Sequence, residues 1–120
     1  MKRLAFIFSL LCLMCTSLRA QDNTSIDGYF LINGHPFYFF AEGIRDHAEY
    51  RINSSDNVEI VLTSPVDEKV DWNIVQNGAC DRYYVLNNGS RVLLYLRGSG
   101  DIVLEATTPT SRLLVTLYCN

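Results

Sequence analysis

The chain has 120 residues, with 10 lysines and arginines against 13 aspartates and glutamates, and 48% of its residues are hydrophobic. Three of the basic residues precede position 20, so residues 21–120 carry 7 basic against 13 acidic side chains, a net charge of −6. A chain this acidic lacks the basic surface that binding to nucleic acid or to an anionic membrane requires. The apolar content is sufficient for a folded core, and the length predicts one domain.

Residues 1–20 have the pattern of a secretory signal peptide. Two basic residues open the segment, an apolar run follows from Leu4 to Leu18, and Ala20 is a small residue at the expected cleavage point. The run of roughly 15 apolar residues is shorter than the ~20 that span a bilayer, which favours a signal over an anchor. We therefore predict a signal peptide at 1–20 and a single domain at 21–120. The mature chain would have no membrane span and would be secreted, either extracellular or periplasmic.

The mature chain keeps two of the four cysteines, Cys80 and Cys119. In an oxidising compartment an isolated pair of this kind most often forms a disulfide. That bond would close a loop of about 40 residues, contribute roughly 4 kcal/mol and hold the last strand in place. Two thiols and two distant histidines lack the ligand spacing of a zinc site, so we predict no metal and no cofactor.

Short strands separated by turn residues account for most of the mature chain. Asn33-Gly34 tolerates positive φ well and predicts a hairpin between strands at 28–32 and 37–41, with His35-Pro36 continuing the turn. The segment 41–50 is the least strand-like, and we expect an irregular crossover or one helical turn there. Further strands are predicted at 58–63, 70–75, 83–86, 91–97, 102–107 and 113–119. About eight short strands with almost no helix predict an all-β protein, an antiparallel two-sheet sandwich or a small barrel.

Trp72, the only tryptophan, lies in a strand with a two-residue alternation and is expected at the centre of the core. Val70 and Ile74 share its face. The same alternation selects the other predicted core residues: Ile60, Leu62, Leu94 and Leu104.

Three features of the segment 57–119 occur together: the tryptophan strand VDWNIVQNG, a Gly-Ser-Gly-Asp turn that enters a strand rich in Val, Leu and Ala, and a final strand ending in cysteine. In this combination the segment resembles the immunoglobulin-like and PKD-like modules of secreted bacterial proteins. The resemblance implies an immunoglobulin-like sandwich with an adhesive, spacer or partner-binding role, and it implies no catalytic residues. Antibody-type domains bridge two facing strands across the core, whereas Cys80 follows the tryptophan strand here and Cys119 ends the last one.

An enzyme is not predicted. His47 with Asp46 and Glu49 is the one group that resembles a carboxylate-histidine metal site, and a solvated polar loop explains it better. The Asn-X-Ser/Thr patterns at Asn23, Asn53 and Asn88 match glycosylation acceptors and indicate exposed turns.

Binding is the favoured class of function. Tyr38 and Phe40 should share one face of the 37–41 strand, and together with Tyr95 they are the candidate binding surface. The alternative is that the loop 41–50 buries the whole aromatic run 37–40. The partner of the binding surface would be an unidentified protein or a surface glycan. Three alternatives remain: a non-enzymatic module acting through protein or cell-surface contacts, a carbohydrate-binding module, and a small inhibitor of an extracellular enzyme that uses the loop 65–69.

Overall fold

The computed structural model describes residues 25–41 and 43–120. The predicted signal peptide and the Asn23 acceptor lie outside the described residues. Nine strands form: β1 Asp27–Ile32, β2 His35–Tyr38, β3 His47–Ile52, β4 Val58–Ser64, β5 Asp71–Gln76, β6 Cys80–Leu86, β7 Arg91–Leu96, β8 Ile102–Thr107 and β9 Arg112–Cys119. A short 3-10 turn at Asn87–Gly89 joins β6 to β7. Within the described ranges, no helix has the length and apolar character needed to cross a bilayer.

The strands build two packed sheets, so the all-β prediction is confirmed and the architecture is that of a sandwich. The five-stranded sheet has the order β2-β1-β4-β7-β6, and the four-stranded sheet has the order β3-β9-β8-β5. All pairs are antiparallel except β3 with β9, which run parallel. The edge strands are therefore β2 and β6 in one sheet and β3 and β5 in the other.

The core lies between the two sheets, because each central strand alternates buried with half-buried residues. The pattern is regular in β1, β4 and β8, where every second side chain points to the opposite sheet. The largest fully buried side chains are Ile26, Phe30, Ile60, Val70, Val92, Ile102, Leu104, Leu113, Val115 and Leu117. Among the predicted core residues, Val70, Ile60, Leu62, Leu94 and Leu104 are buried.

Trp72 is only half-buried and does not lie at the centre of the core. Its strand is the edge of the four-stranded sheet, so its indole packs against the core from the side, as does Ile74. The indole Nε1–H donates to the Gly89 carbonyl at 2.7 Å. Trp72 therefore links the 3-10 turn to the sandwich through this hydrogen bond and does not form the centre of the core.

The predicted first hairpin forms, but its second strand begins at His35 instead of Phe37. Asn33 and Gly34 both have positive φ, and Ile32 pairs directly with His35. The strand therefore includes Pro36, which an edge strand tolerates because its outer side needs no ladder hydrogen bond. Phe39 and Phe40 lie beyond the strand, in the turn.

β3 begins inside the segment 41–50, which was expected to be irregular, and extends two residues beyond it. Ala48 and Ile52 are buried and alternate with more exposed polar residues. The predicted irregular segment ends at Tyr50, inside β3, so it cuts through this alternation and hides the strand. Its partner is β9, which lies more than 60 residues away in the chain.

The predicted disulfide is absent from the structure, where Cys80 and Cys119 are free and buried. The Cys80 Sγ lies 3.5 Å from the Arg82 carbonyl oxygen of its own strand, and the Cys119 Sγ lies 4.0 Å from the Gly98 carbonyl oxygen. The two thiols thus face separate backbone acceptors. Burial, and secondarily Asp81, raises the pKa of the Cys80 thiol. Burial followed by Asp56 does the same to the pKa of Cys119.

Candidate functional site

The outer face of the five-stranded sheet is unusually apolar. The inward residues Phe30, Ile60 and Val92 fix the alternation, so their chain neighbours point outward. An antiparallel sheet with one solvated face normally places polar residues there. We call this surface the aromatic face; its residues are Tyr29, Leu31, Pro36, Tyr38, Glu59, Val61, Arg82, Tyr84, Leu86, Arg91, Leu93 and Tyr95.

Two tyrosine pairs occupy opposite ends of the aromatic face. The ring centroids of Tyr29 and Tyr38 are 5.3 Å apart, with the planes inclined at 54°. Those of Tyr84 and Tyr95 are 5.6 Å apart, with the planes nearly perpendicular at 84°. The Arg82 guanidinium lies 4.9 Å from the Tyr95 ring centroid, a cation–π contact. The rings at both ends are therefore held by neighbours on the same face.

An ion pair lies near the middle of the aromatic face. The Arg91 guanidinium approaches the Glu59 carboxylate to 2.9 Å, and the Glu59 side chain is 24% exposed. Each charge is satisfied by the other, so the apolar side chains around them can be covered by another molecule without leaving either charge unpaired. Leu93 of β7 is paired with Glu59 of β4 and lies beside it on the same face.

The outer face of the four-stranded sheet is different and serves as an internal comparison. Among the described residues, the aliphatic ones there are Val103, Leu114 and Val75, which is 59% exposed at the bulge of β5, and Arg112 forms an ion pair with Glu105. The remaining outward residues are mainly polar or charged: His47, Glu49, Arg51, Asp71, Asn73, Thr107, Thr116 and Tyr118. One sheet of the same domain therefore has an ordinary solvated face, which makes the apolar face of the other sheet a distinct feature.

A second apolar feature lies at the corner where β2 approaches β3. The Phe37 and Tyr50 ring centroids are 4.8 Å apart, and those of Phe30 and Phe39 are also 4.8 Å apart. Together with Tyr38, Phe40, Ala41, Ile44, His47 and Glu49, these residues line a cavity of about 600 Å³, which we call the corner groove. The groove runs along the edge strand β3, and its volume is typical of a ligand site.

The three predicted surface residues do not form one platform. Tyr38 and Tyr95 share the aromatic face, but three strand spacings separate their strands, roughly 14 Å. Phe40 instead lines the corner groove, with the Arg45 guanidinium 5.2 Å from its ring centroid. Tyr38 is the most exposed of the three, at 68%.

Sequence reasoning missed Tyr29 and Tyr84 as surface candidates. Each belongs to a strand in which apolar residues occupy both alternating sets, as in GYFLI and YYVL. In an antiparallel protein, apolar residues in both alternating sets indicate that the outer face of the sheet is covered by another element or binds a partner. This pattern can be recognised in the sequence, but which tyrosine rings contact each other depends on the register between the strands.

His47 lies beside Thr116 and Glu49 on the four-stranded sheet. Its Nε2 lies 3.2 Å from the Thr116 hydroxyl and 3.4 Å from the Glu49 carboxylate, while the Asp46 carbonyl accepts a backbone hydrogen bond from Leu114. No group of three or more potential metal ligands occurs in residues 25–41 and 43–120. Loss of solvation and the nearby Glu49 raise the pKa of the Tyr118 phenol. These residues form a polar patch on the solvated sheet.

The loop considered for enzyme inhibition projects from the end of β4. Val66 is 82% exposed, whereas Pro65 is buried at the base of the loop. Lys69 approaches the Asp71 carboxylate to 3.6 Å, with both side chains largely exposed. Nothing else in the described residues braces the tip of this loop as a rigid inhibitory segment would be braced.

Fold and surface together define a β-sandwich protein with one solvated sheet face and one apolar, tyrosine-rich sheet face. No family model matches the chain, and no curated protein or solved structure matches it either.

Proposed function

We propose that this chain is a secreted, non-enzymatic binding module that docks a partner protein on the aromatic face. The observation that carries the proposal is the contrast between the two outer faces. Apolar residues and tyrosines occupy most outward positions of the five-stranded sheet, and polar residues occupy most of those on the four-stranded sheet. Contiguous apolar surface of this kind on a soluble domain is typical of an interaction site.

Ring geometry favours a protein over a sugar as the ligand. Stacking on a saccharide calls for rings that present their faces side by side, but the two tyrosine pairs are inclined at 54° and 84°. Tyrosine and arginine are the residues enriched at the centre of protein interfaces, where they supply rigid contact area with a polar end. Arg91, Arg82 and the tyrosines supply that combination here.

The size of the aromatic face suits the apolar centre of a modest interface. Five strands at about 4.8 Å spacing span roughly 19 Å, and six residues of strand extend about 20 Å. A standard interface buries about 800 Å² on each partner, and its apolar centre is surrounded by a polar rim. The aromatic face would form that centre.

The immunoglobulin-like resemblance is part of this proposal and has support from strand order. Immunoglobulin domains arrange their strands as ABED on one sheet and CFG on the other. The orders β1-β4-β7-β6 and β5-β8-β9 reproduce that arrangement if β1 is A, β4 is B and β5 is C. The tryptophan strand β5 then takes the position of the tryptophan-bearing strand C. β2 and β3 are the additional strands.

The proposal is tested with a matched pair of charge insertions. Leu93→Arg places a charge on the aromatic face, and Leu114→Arg places the same charge on the solvated face. Wild type and both variants are immobilised and exposed to the surface and secreted proteins of the producing cells. A protein retained by wild type and by Leu114→Arg but lost with Leu93→Arg supports the proposal. Equal retention by all three, or equal loss with both variants, contradicts it.

Two further outcomes redirect the proposal to the other binding classes. Recognition of a polysaccharide on a glycan array that is abolished by Tyr38→Ala and unaffected by Leu93→Arg would indicate a carbohydrate-binding module. Retention of one hydrolase that is lost on substitution of Val66 and kept with Leu93→Arg would indicate an inhibitor. The urea midpoint of each variant shows whether a lost interaction reflects the surface or the fold.

A further inference from the structure

The outer edge of β3 carries unpaired main-chain groups. Leu114 donates to the Asp46 carbonyl and Asn120 donates to the Ile52 carbonyl, so the even-numbered residues of β3 direct their backbone groups to β9. By the alternation of a parallel ladder, His47, Glu49 and Arg51 direct theirs to the opposite side. Within residues 25–41 and 43–120, none of these N–H and C=O groups has a backbone partner on that side.

The other three edge strands each have a feature that discourages pairing with another chain. β2 contains Pro36 and has only four residues. β5 is interrupted by a bulge between Ile74 and Gln76, and β6 by one between Cys80 and Arg82. Proline, short length and bulges are among the features by which proteins protect sheet edges. β3 has six residues in continuous register with β9, with neither proline nor bulge.

We propose that β3 pairs with β3 of a second copy of this chain, antiparallel, about a two-fold axis at Tyr50. The two four-stranded sheets then become one continuous eight-stranded sheet. This inference goes beyond the proposed function, since it concerns the edge of the other sheet.

Charge complementarity selects this register. With the axis at Tyr50, Glu49 of each copy lies directly opposite Arg51 of the other, on the solvated face. The pairing also sets Ala48 opposite Ile52 on the inner face, a small residue against a large one. Moving the axis to Glu49 would set two carboxylates against each other, and like charges in directly opposite positions are destabilising.

Hydrogen-bond direction agrees with the same register. The odd-numbered residues have the free backbone groups, and the register joins Glu49 to Arg51, so donors and acceptors of the two edges meet. The corner groove lies along this edge and provides about 600 Å³ next to Tyr50 and Phe37. Phe37 is 37% exposed and Ile44 is 57% exposed, so both have apolar surface that the second copy can cover.

The test uses charge reversal and its rescue. Glu49→Arg sets two arginines opposite each other in the pair, and Arg51→Glu sets two glutamates opposite each other. Each single variant should dimerise roughly tenfold to a hundredfold more weakly than the wild-type chain, because two attractive contacts become repulsive. The double variant restores opposite charges and should dimerise as wild type does. Mass is measured by light scattering and sedimentation over a wide range of concentration.

Mixing the two single variants gives the most selective result. Arginines at 49 and 51 of one chain then face glutamates at 51 and 49 of the other, so a heterodimer should form at concentrations where each single variant alone is monomeric. That outcome also shows that both variants are folded. A wild-type chain that is monomeric at all concentrations would overturn the proposal. So would a dimer that is indifferent to both reversals, or a mixture that stays monomeric.

Discussion

Gly89 is a position where one added methyl group should be strongly destabilising. It has φ of +91°, and a Cβ built there would lie 2.0 Å from the Val70 carbonyl oxygen, where real Cβ contacts stay beyond 3.0 Å. The turn would have to move by about 1 Å. Two hydrogen bonds depend on its position, from Val70 N–H to the Asn88 carbonyl at 2.9 Å and from Trp72 Nε1–H to the Gly89 carbonyl at 2.7 Å.

The magnitude follows from comparison with Gly34, which has φ of +84° and no atom within 4 Å of an added Cβ. Gly34→Ala therefore measures the conformational penalty of positive φ alone, about 1–2 kcal/mol. Gly89→Ala has the same penalty and also loses two hydrogen bonds worth about 1 kcal/mol each. We expect it to lower the free energy of unfolding by roughly 3–4 kcal/mol, about 2 kcal/mol more than Gly34→Ala.

Urea unfolding followed by tryptophan fluorescence measures both variants, because Trp72 is the only tryptophan and touches the altered turn. With a urea slope of about 1–3 kcal/mol per M, a difference of about 2 kcal/mol shifts the unfolding midpoint by roughly 0.7–2 M, so the difference between the variants is easily resolved. The matched comparison removes the common effect of positive φ. Equal losses for the two alanine variants would refute the reasoning, since they would show that contact with Val70 does not restrict the turn.

Two further predictions concern Asp56 and the thiols. Hydrogen bonds from the Asn53 N–H and from the Asn33 amide lower the pKa of Asp56. A carboxyl group with a lowered pKa stabilises the fold above its unfolded value of about 3.9, and this stability is lost as pH falls through the folded pKa. The stability advantage of wild type over Asp56→Asn should therefore shrink below about pH 4, and parallel pH profiles would contradict this. Cys80 and Cys119 should react slowly with a thiol reagent in the native protein and fully in denaturant; an absence of thiols in denaturant without reductant would contradict the free cysteines of the structure.

Local pattern was sufficient for most strands and insufficient for their arrangement. The alternation in β4, β7 and β8 predicted both the strands and the buried residues Ile60, Leu94 and Leu104. The Asn33-Gly34 turn predicted its hairpin, because positive φ at both residues is a local property. These features depend only on neighbouring residues.

The failures all involve partners that are distant in the chain. Trp72 is half-buried because β5 is an edge strand, and strand order is not encoded in that segment. β3 becomes a strand through pairing with β9, although its own pattern is short. Tyr38 and Tyr95 share a face only because four strands lie in one register, and Phe40 leaves that face because β2 ends two residues earlier.

The position of β9 between β3 and β8 has a consequence for biosynthesis. About 60 more residues must be synthesised after β3 before β9, its neighbour in the sheet, is present. At translation speeds of about 5–20 residues per second this delay is on the order of 3–12 s. During that interval Ala48, Tyr50 and Ile52 have no sheet to join, so a nascent chain held near the ribosome or an export channel would be most open to chaperone capture at this segment.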